Sequence, residues 1–287
     1  MEKAITAAFI REAIRYYLPY LKAAGDYSLQ IRTKVRLLPP KGGTDATPIS
    51  EALTDADLSI QNFLEVAALA NHPEFEFIPE EASHSLNLKY FPSATALRIF
   101  LDPINNTRYY ADNSGEHDII LTFAQRSVIL GAVVYIPDRR EFYIADSDVA
   151  YYLPAEEIAA GGNWRRLDLR PGPDIVLTYR LAAQQPCGRT GRRFALYDSA
   201  GDYTRHGRNP ALHDIFVGKI GGFFCAPAPG IDWGAIGFIS AQAGCVLTDY
   251  QGKAIAGFPL DGFQAESLIC ATDRKLAQAI MDFIGKN

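Results

Sequence analysis

The spacing of apolar residues divides the chain into helical and extended blocks. Between Lys3 and roughly Ala23, the residues Ile5, Phe9, Ile10, Ala13, Ile14, Tyr17, Leu18 and Leu21 share one stripe, which predicts an amphipathic helix. The run Leu38-Pro-Pro-Lys-Gly-Gly-Thr-Asp-Ala-Thr-Pro48 is too rich in proline and glycine for regular structure. A second helix is expected from Ser50 to Leu69, with Ile60, Leu64 and Ala67 or Ala68 facing inward.

From Leu97 the period changes to that of strands. Leu97–Leu101, His117–Ala124, Val128–Ile136 and Glu141–Ala145 are short runs of apolar and β-branched residues, with a Pro137-Asp138 turn before the last. Their close spacing predicts an antiparallel meander. Pro154–Pro173 reads as a loop, with Gly161-Gly162-Asn163 and Pro171-Gly172-Pro173 as breakers, and a boundary is placed there between halves 1–172 and 173–287. In the second half, strands are expected at Ile175–Tyr179, Arg193–Tyr197, Cys245–Tyr250 and Ser267–Ala271. Helices are expected at Pro210–Lys219, at Asp232–Ala243 (closed by Gly244) and at the C-terminus, where Leu276, Ile280, Phe283 and Ile284 line up. Helices and strands grouped in blocks imply an α+β protein of layered sheets covered by helices.

Composition narrows the function classes. Of 287 residues, 48% are hydrophobic and 21% charged, the balance of a soluble globular protein. A net charge of −5 leaves no electrostatic footprint for duplex nucleic acid. No stretch approaches the ~18 apolar residues of a membrane span, and no leader is visible, so a cytoplasmic protein is expected. Cys187, Cys225, Cys245 and Cys270 lack metal-ligand spacing and read as free thiols. The five histidines, His72, His84, His117, His206 and His213, form no constellation along the chain.

The chemistry-bearing positions are acidic. Asp102 directly follows the strand Leu97–Leu101, is stiffened by Pro103, and leads into Asn105-Asn106-Thr107. An Asx turn after a strand is the plain alternative. Glu80-Glu81 follow the apolar segment Phe75–Pro79. Asp57, within Thr54-Asp55-Ala56-Asp57, and Asp232 stand at helix starts, where a capping role is the plain alternative. Carboxylates brought together repel unless a cation compensates them, and such oxygen donors suit magnesium or calcium rather than zinc.

In order and spacing these stretches resemble the inositol monophosphatase family. Its Glu-Glu pair, Asp-Pro-Ile-Asp-Gly-Thr loop and late Trp-Asp helix correspond to Pro79-Glu-Glu-Ala-Ser83, Leu101-Asp-Pro-Ile-Asn-Asn-Thr107 and Ile231–Gly244. Thr54–Asp57 is similar to its Thr-x-x-Asp, and Gly131–Pro137 to its Gly-Val-Val-Tyr strand. The resemblance runs from about Ala4 to the C-terminus. It implies an αβαβα sandwich that hydrolyses a small phosphate monoester (an inositol, sugar or nucleotide phosphate) with two or three Mg2+ ions activating water.

Carried over by position, Glu80, Asp102 and the Ile104 carbonyl would hold the first magnesium, and Asp102, Asn105 and Asp232 the second. Asp57, Thr107 and Glu80 would serve catalysis, with Thr107 and Asp57 orienting the water. The backbone amides of Asn106 and Thr107 would receive the phosphate. A homodimer is a further implication.

Three departures stand out. Asn105 replaces an aspartate, which weakens the second magnesium site. Asn106 replaces a glycine. The segment Gly221–Gly230 lacks the acidic and aromatic residues that the family carries before its Trp-Asp, in the region that touches the substrate's hydroxyls. Arg208, Arg205 or the Arg189–Arg193 loop would take a second phosphate, or form a solvated basic edge. Asn105 and Asn106 keep open a second reading, a relative that binds a phosphorylated metabolite or a protein partner without hydrolysing it.

Overall fold

Helix α1 (Ala7–Ile31) starts at Thr6, whose hydroxyl oxygen accepts the Phe9 N–H at 3.2 Å. This computed structural model describes residues 5–39, 47, 49, 52–160, 162–169, 171–181, 193–255, 257 and 264–285. Most of the 38–48 stretch, Ser50, Gly161, Cys187, Arg189 and Arg192 lie outside the described residues.

α1 runs past its expected end near Ala23 to Ile31, because Ala24, Gly25 and Ser28 are buried as well. Gly25 passes so close to Tyr135 that a Cβ there would stand 2.4 Å from the ring. Helix α2 (Asp55–Asn71) starts later than the expected Ser50. Thr54 caps it, and the Thr54 N–H donates to Asp57 at 2.9 Å in a capping box that sets the first turn at Asp55.

The first sheet contains β1 (Glu76–Pro79), β2 (Leu97–Asn105), β3 (Asp118–Gln125), β4 (Val128–Ile136), β5 (Glu141–Asp146), β6 (Ala150–Pro154) and β7 (Arg165–Arg166), hydrogen-bonded in that order. β1 is parallel to β2, and the remaining pairs are antiparallel, as the expected meander requires. Two expectations are corrected here. The region read as loop after Pro154 holds a 3-10 helix, Ala155–Ala160, and β7, which pairs Arg165 and Arg166 with Tyr152 and Tyr151. β2 does not stop at Leu101 but continues to Asn105, with its register against β3 shifting between Asp102 and Asn105. Pro103 cannot donate to a ladder, so it falls in that irregular step.

α3 (Thr107–Asp112) follows β2 directly. The second sheet consists of β8 (Ile175–Thr178), β9 (Ala195–Asp198), β10 (Gly222–Cys225), β12 (Val246–Thr248) and β14 (Leu268–Ala271), in the order β12-β14-β10-β8-β9. β11 (Ala228–Pro229) and β13 (Gln264–Ala265) form a separate short pair. The helix expected over Pro210–Lys219 is a 3-10 helix, Leu212–Val217, stopped by Gly218 in the left-handed region at φ +67°. The helix expected from Asp232 opens as a π-helical turn, Gly230–Gly234, and becomes regular as α4 (Ala235–Gln242). Helix α5 (Arg274–Gly285) closes the chain.

Three apolar cores hold five layers together, the central one enclosing α4 between the two sheets. α1 and α2 cover one face of the first sheet through Ile14, Tyr17 and Leu64 against Ile99, Leu121 and Val133. Its other face, with Ile120 and Val134, packs on α4 through Ile236 and Ile239, and α4 in turn meets the second sheet at β12 and β14, with Leu268 in the same core. α5 seals the far side with Ile280 and Ile284 against Val176, Phe224 and Ile269. The architecture is the expected αβαβα sandwich. Strands covered on both faces read as continuous apolar runs, which is why β3 and β4 stood out in the sequence.

Candidate metal centre and active site

The parallel pairing of β1 with β2 brings two acidic positions together. Beyond the last paired residue of β1, the Glu80 N–H donates to the Leu101 carbonyl at 2.9 Å, which sets Glu80 next to Asp102. Asp102 is therefore inside β2, where the ladder breaks, and not beyond its end as the sequence implied. Asn106 then takes the left-handed conformation at φ +65° at the N-cap position of α3, its side chain making no capping bond. Asparagine tolerates this region better than most residues. The π-helical turn brings Asp232 to the same place from the other half of the chain.

Glu80, Asp102, Ile104, Asn105, Asn106, Thr107 and Asp232 all line one cavity of about 530 Å³. Its remaining wall includes Leu177, Tyr179, Arg180, Leu212, Pro227 and Trp233. Asp57 lies immediately behind Thr107. The Thr107 hydroxyl stands 2.7 Å from the Ile104 carbonyl and 3.2 Å from Asp57 Oδ1, while Asp57 Oδ2 accepts from Thr54. Asp57 thus closes the capping box of α2 and also accepts from the Thr107 hydroxyl.

The electrostatics are those of crowded carboxylates. Burial, then Glu80, Asp232 and Asp118, raise the Asp102 pKa well above the carboxylate range. Burial, with Glu80 and Asp118, pushes Asp232 up to about 7. Burial, with Glu80 and Glu81, pushes Asp57 up to about 7 against the hydrogen bonds from Thr54. Groups that raise one another in this way are relieved by a cation. The donors facing the cavity are carboxylate, peptide and amide oxygens, the set that Mg2+ or Ca2+ takes. Glu80, Asp102, Asp232 and Ile104 bring donors of that kind to the cavity wall.

Asn105 is held at both ends. Its Nδ2 donates to Asp118 Oδ1 at 3.1 Å, and its Oδ1 accepts the Asn106 N–H at 2.9 Å. The Asn106 backbone amide, expected to receive a phosphate, is therefore committed to Asn105. Its side-chain Nδ2 is the available donor, buried and without a hydrogen-bond partner among the described residues.

Arg208 is not brought to this cavity. It lines a separate one of about 470 Å³, with Arg32, Glu116, His213 and Lys219. Asn209 Nδ2 donates to the Ser114 and Thr204 carbonyls and pins that segment away from the acidic cluster. Arg205 stands 3.4 Å from Asp112, and Arg193 is exposed. Among the described residues, Arg180, which the sequence did not single out, is the arginine on the acidic cavity's wall.

Asp118 and His213 were also missed. Both are buried, and His213 Nδ1 is hydrogen-bonded to Asp118 Oδ2. Burial alone would lower the His213 pKa, but Asp118 and Glu116 outweigh it and push it up to about 9. Glu116, His213 and Asp214 present ligand atoms within 4.8 Å of one another. Arg139 already pairs with both Glu116 and Asp214, so a cation is in place there. The available signal was an aspartate opening the otherwise apolar run of β3.

No family model matches the chain, and no curated protein does. Solved structures do. The extragenic suppressor protein SuhB of Bartonella henselae aligns over 96% of this chain and 99% of its own, with a TM-score of 0.69 and 15% identity. The IMPase of Thermotoga maritima aligns over 96% and 97%, at 0.68 and 14%. An IMPase/NADP phosphatase in complex with Mg2+ and phosphate aligns over 99% and 97%, at 0.68 and 15%.

The fold is that of the inositol monophosphatases. The likeness spans the whole sandwich, both sheets and all three helical layers included. On this fold Asn105 and Asn106 line the acidic cavity, and Asp118 stands against Asn105.

Proposed function

We propose that the chain is a magnesium-dependent phosphatase of the inositol monophosphatase family, hydrolysing a small phosphate monoester. The observation that carries this reading is the convergence of Glu80, Asp102 and Asp232 with the Asn105-Asn106-Thr107 loop on one cavity. The fold shared with an IMPase/NADP phosphatase that binds Mg2+ and phosphate supports it.

Magnesium, when bound, would neutralise phosphoryl oxygens and lower the pKa of water in the site. Glu80, Asp102, Asp232 and the Ile104 carbonyl would hold it. Thr107, whose hydroxyl lies between the Ile104 carbonyl and Asp57, would orient a water, and Asp57 would take up the proton. The Asn106 Nδ2 would donate to a phosphate oxygen. Leu177, Tyr179, Leu212 and Trp233 would enclose the alcohol side of the ester and exclude bulk water, while Arg180 offers a charge to a second anionic group. This wall suits a sugar or nucleotide phosphate better than a bare polyol.

The test is a panel of phosphate monoesters assayed with Mg2+ and with EDTA. Mg2+-dependent release of inorganic phosphate from at least one member is expected, and folded protein that turns over none refutes the reading. The commitment of both ends of Asn105 favours a second reading, a protein that binds the ester without cleaving it. Mg2+-dependent ester binding with no turnover selects that one.

A further inference from the structure

Asn105 and Asp118 are direct partners in the β2–β3 ladder, so their contact is fixed by backbone register. Two contacts determine which way the Asn105 amide faces. Its nitrogen meets the Asp118 carboxylate, and its oxygen meets the Asn106 N–H. Turning the amide over would set oxygen against carboxylate and NH2 against N–H, losing both bonds. Asp118 is itself held from behind by His213, and both side chains are fully buried. His213 Nε2 has no hydrogen-bond partner among the described residues, with Glu116 Oε2 at 3.6 Å.

We propose that Asp118 is a positioning residue of the cation site: it takes the Asn105 amide N–H and is held in place by His213, so that the amide oxygen, which accepts the Asn106 N–H through one lone pair, keeps the other for the cation. Asn105 and Asp118 then form one unit carrying a single carboxylate. Restoring an aspartate at position 105 alone would set two buried carboxylates in direct contact, so Asn105→Asp is not a simple gain of a ligand. Exchanging the two residues keeps every donor matched to an acceptor. The amide then at position 118 donates to the carboxylate then at position 105, and accepts from His213 through its oxygen. The inference rests on the phosphatase reading for the nature of the cation, but not for the pairing itself.

The experiment compares four full-length proteins: the chain itself, Asn105→Asp, Asp118→Asn, and the exchange carrying both substitutions. Mg2+ affinity is measured by titration calorimetry, and the melting temperature is measured in EDTA. Asp118→Asn is expected to weaken Mg2+ binding by roughly 10-fold or more, as removal of an outer hydrogen-bond partner does at metal sites. Asn105→Asp is expected to melt lower in EDTA than the parent chain. The exchange should recover both the affinity and the melting temperature.

Effects that add without rescue overturn the inference, as does Mg2+ affinity in Asp118→Asn equal to that of the parent. An exchange protein that fails to fold beside a stable parent also overturns it, because the two positions are then not interchangeable. If the parent itself binds no Mg2+, the phosphatase reading fails instead. The melting cycle in EDTA still decides whether Asn105 and Asp118 act as one unit.

Discussion

Replacing Asp232 with asparagine removes a charge while keeping the side chain's shape, so it separates repulsion inside the acidic cluster from packing. The Asp232 carboxyl has an ordinary value of 3.8 and rises to about 7 in the fold, where burial and then Glu80 oppose its charge. At ~1.4 kcal/mol per pH unit, the ionised form costs the metal-free protein on the order of 4 kcal/mol at about pH 8. Water entering the cavity screens this to roughly 1–2 kcal/mol. The Trp233 N–H, which donates to Asp232 Oδ1 at 2.7 Å, keeps an oxygen acceptor in the variant.

The sign follows from the raised folded value. The cost is absent well below the ordinary pKa, grows as pH rises toward about 7, and is complete above it. In EDTA at about pH 8, Asp232→Asn should therefore melt roughly 2–6 °C above the parent, with a smaller gain near pH 5. Saturating Mg2+ reverses the order. At about a hundred times its Kd the ion stabilises the parent by ~2.7 kcal/mol, and the variant by much less. Scanning calorimetry of both proteins, with EDTA and with Mg2+, reads all four values. A variant that melts below the parent in EDTA, or gains as much from Mg2+, refutes the reasoning.

Asp57→Asn should lower kcat by roughly 10²–10⁴-fold, the range for loss of a positioned base, with Mg2+ affinity unchanged in calorimetry because Asp57 contacts Thr107 rather than the ion. Asn106→Gly keeps the left-handed backbone without strain and removes the buried Nδ2 donor. Inhibition by inorganic phosphate should weaken by roughly 3- to 10-fold, the value of one hydrogen bond. Gly25→Ala forces a methyl group against Tyr135 and Pro137, and should cost about 1–3 kcal/mol in denaturant unfolding while leaving kcat intact.

Local pattern alone determined a good part of this molecule. β4 was legible because an apolar run covered on both faces has nothing to interrupt it, and α1 because its stripe keeps one face dry. The set Asp57, Glu80, Asp102, Thr107 and Asp232 came from the resemblance to the inositol monophosphatase family, since each residue alone reads as well as a cap or a turn. Three things were decided only by tertiary structure. Strand pairing extended β2 through Asp102 to Asn105, because the ladder with β3 resumes at Asn105 and Asp118 beyond the irregular step that holds Pro103. Chain packing sent Arg208 to a different cavity, because Asn209 anchors its segment to Ser114. Register set Asp118 against Asn105, and the 3-10 helix set His213 behind it. Contacts between residues so distant along the chain leave no periodic trace in it. The charge balance of the acidic site therefore had to be read from the fold.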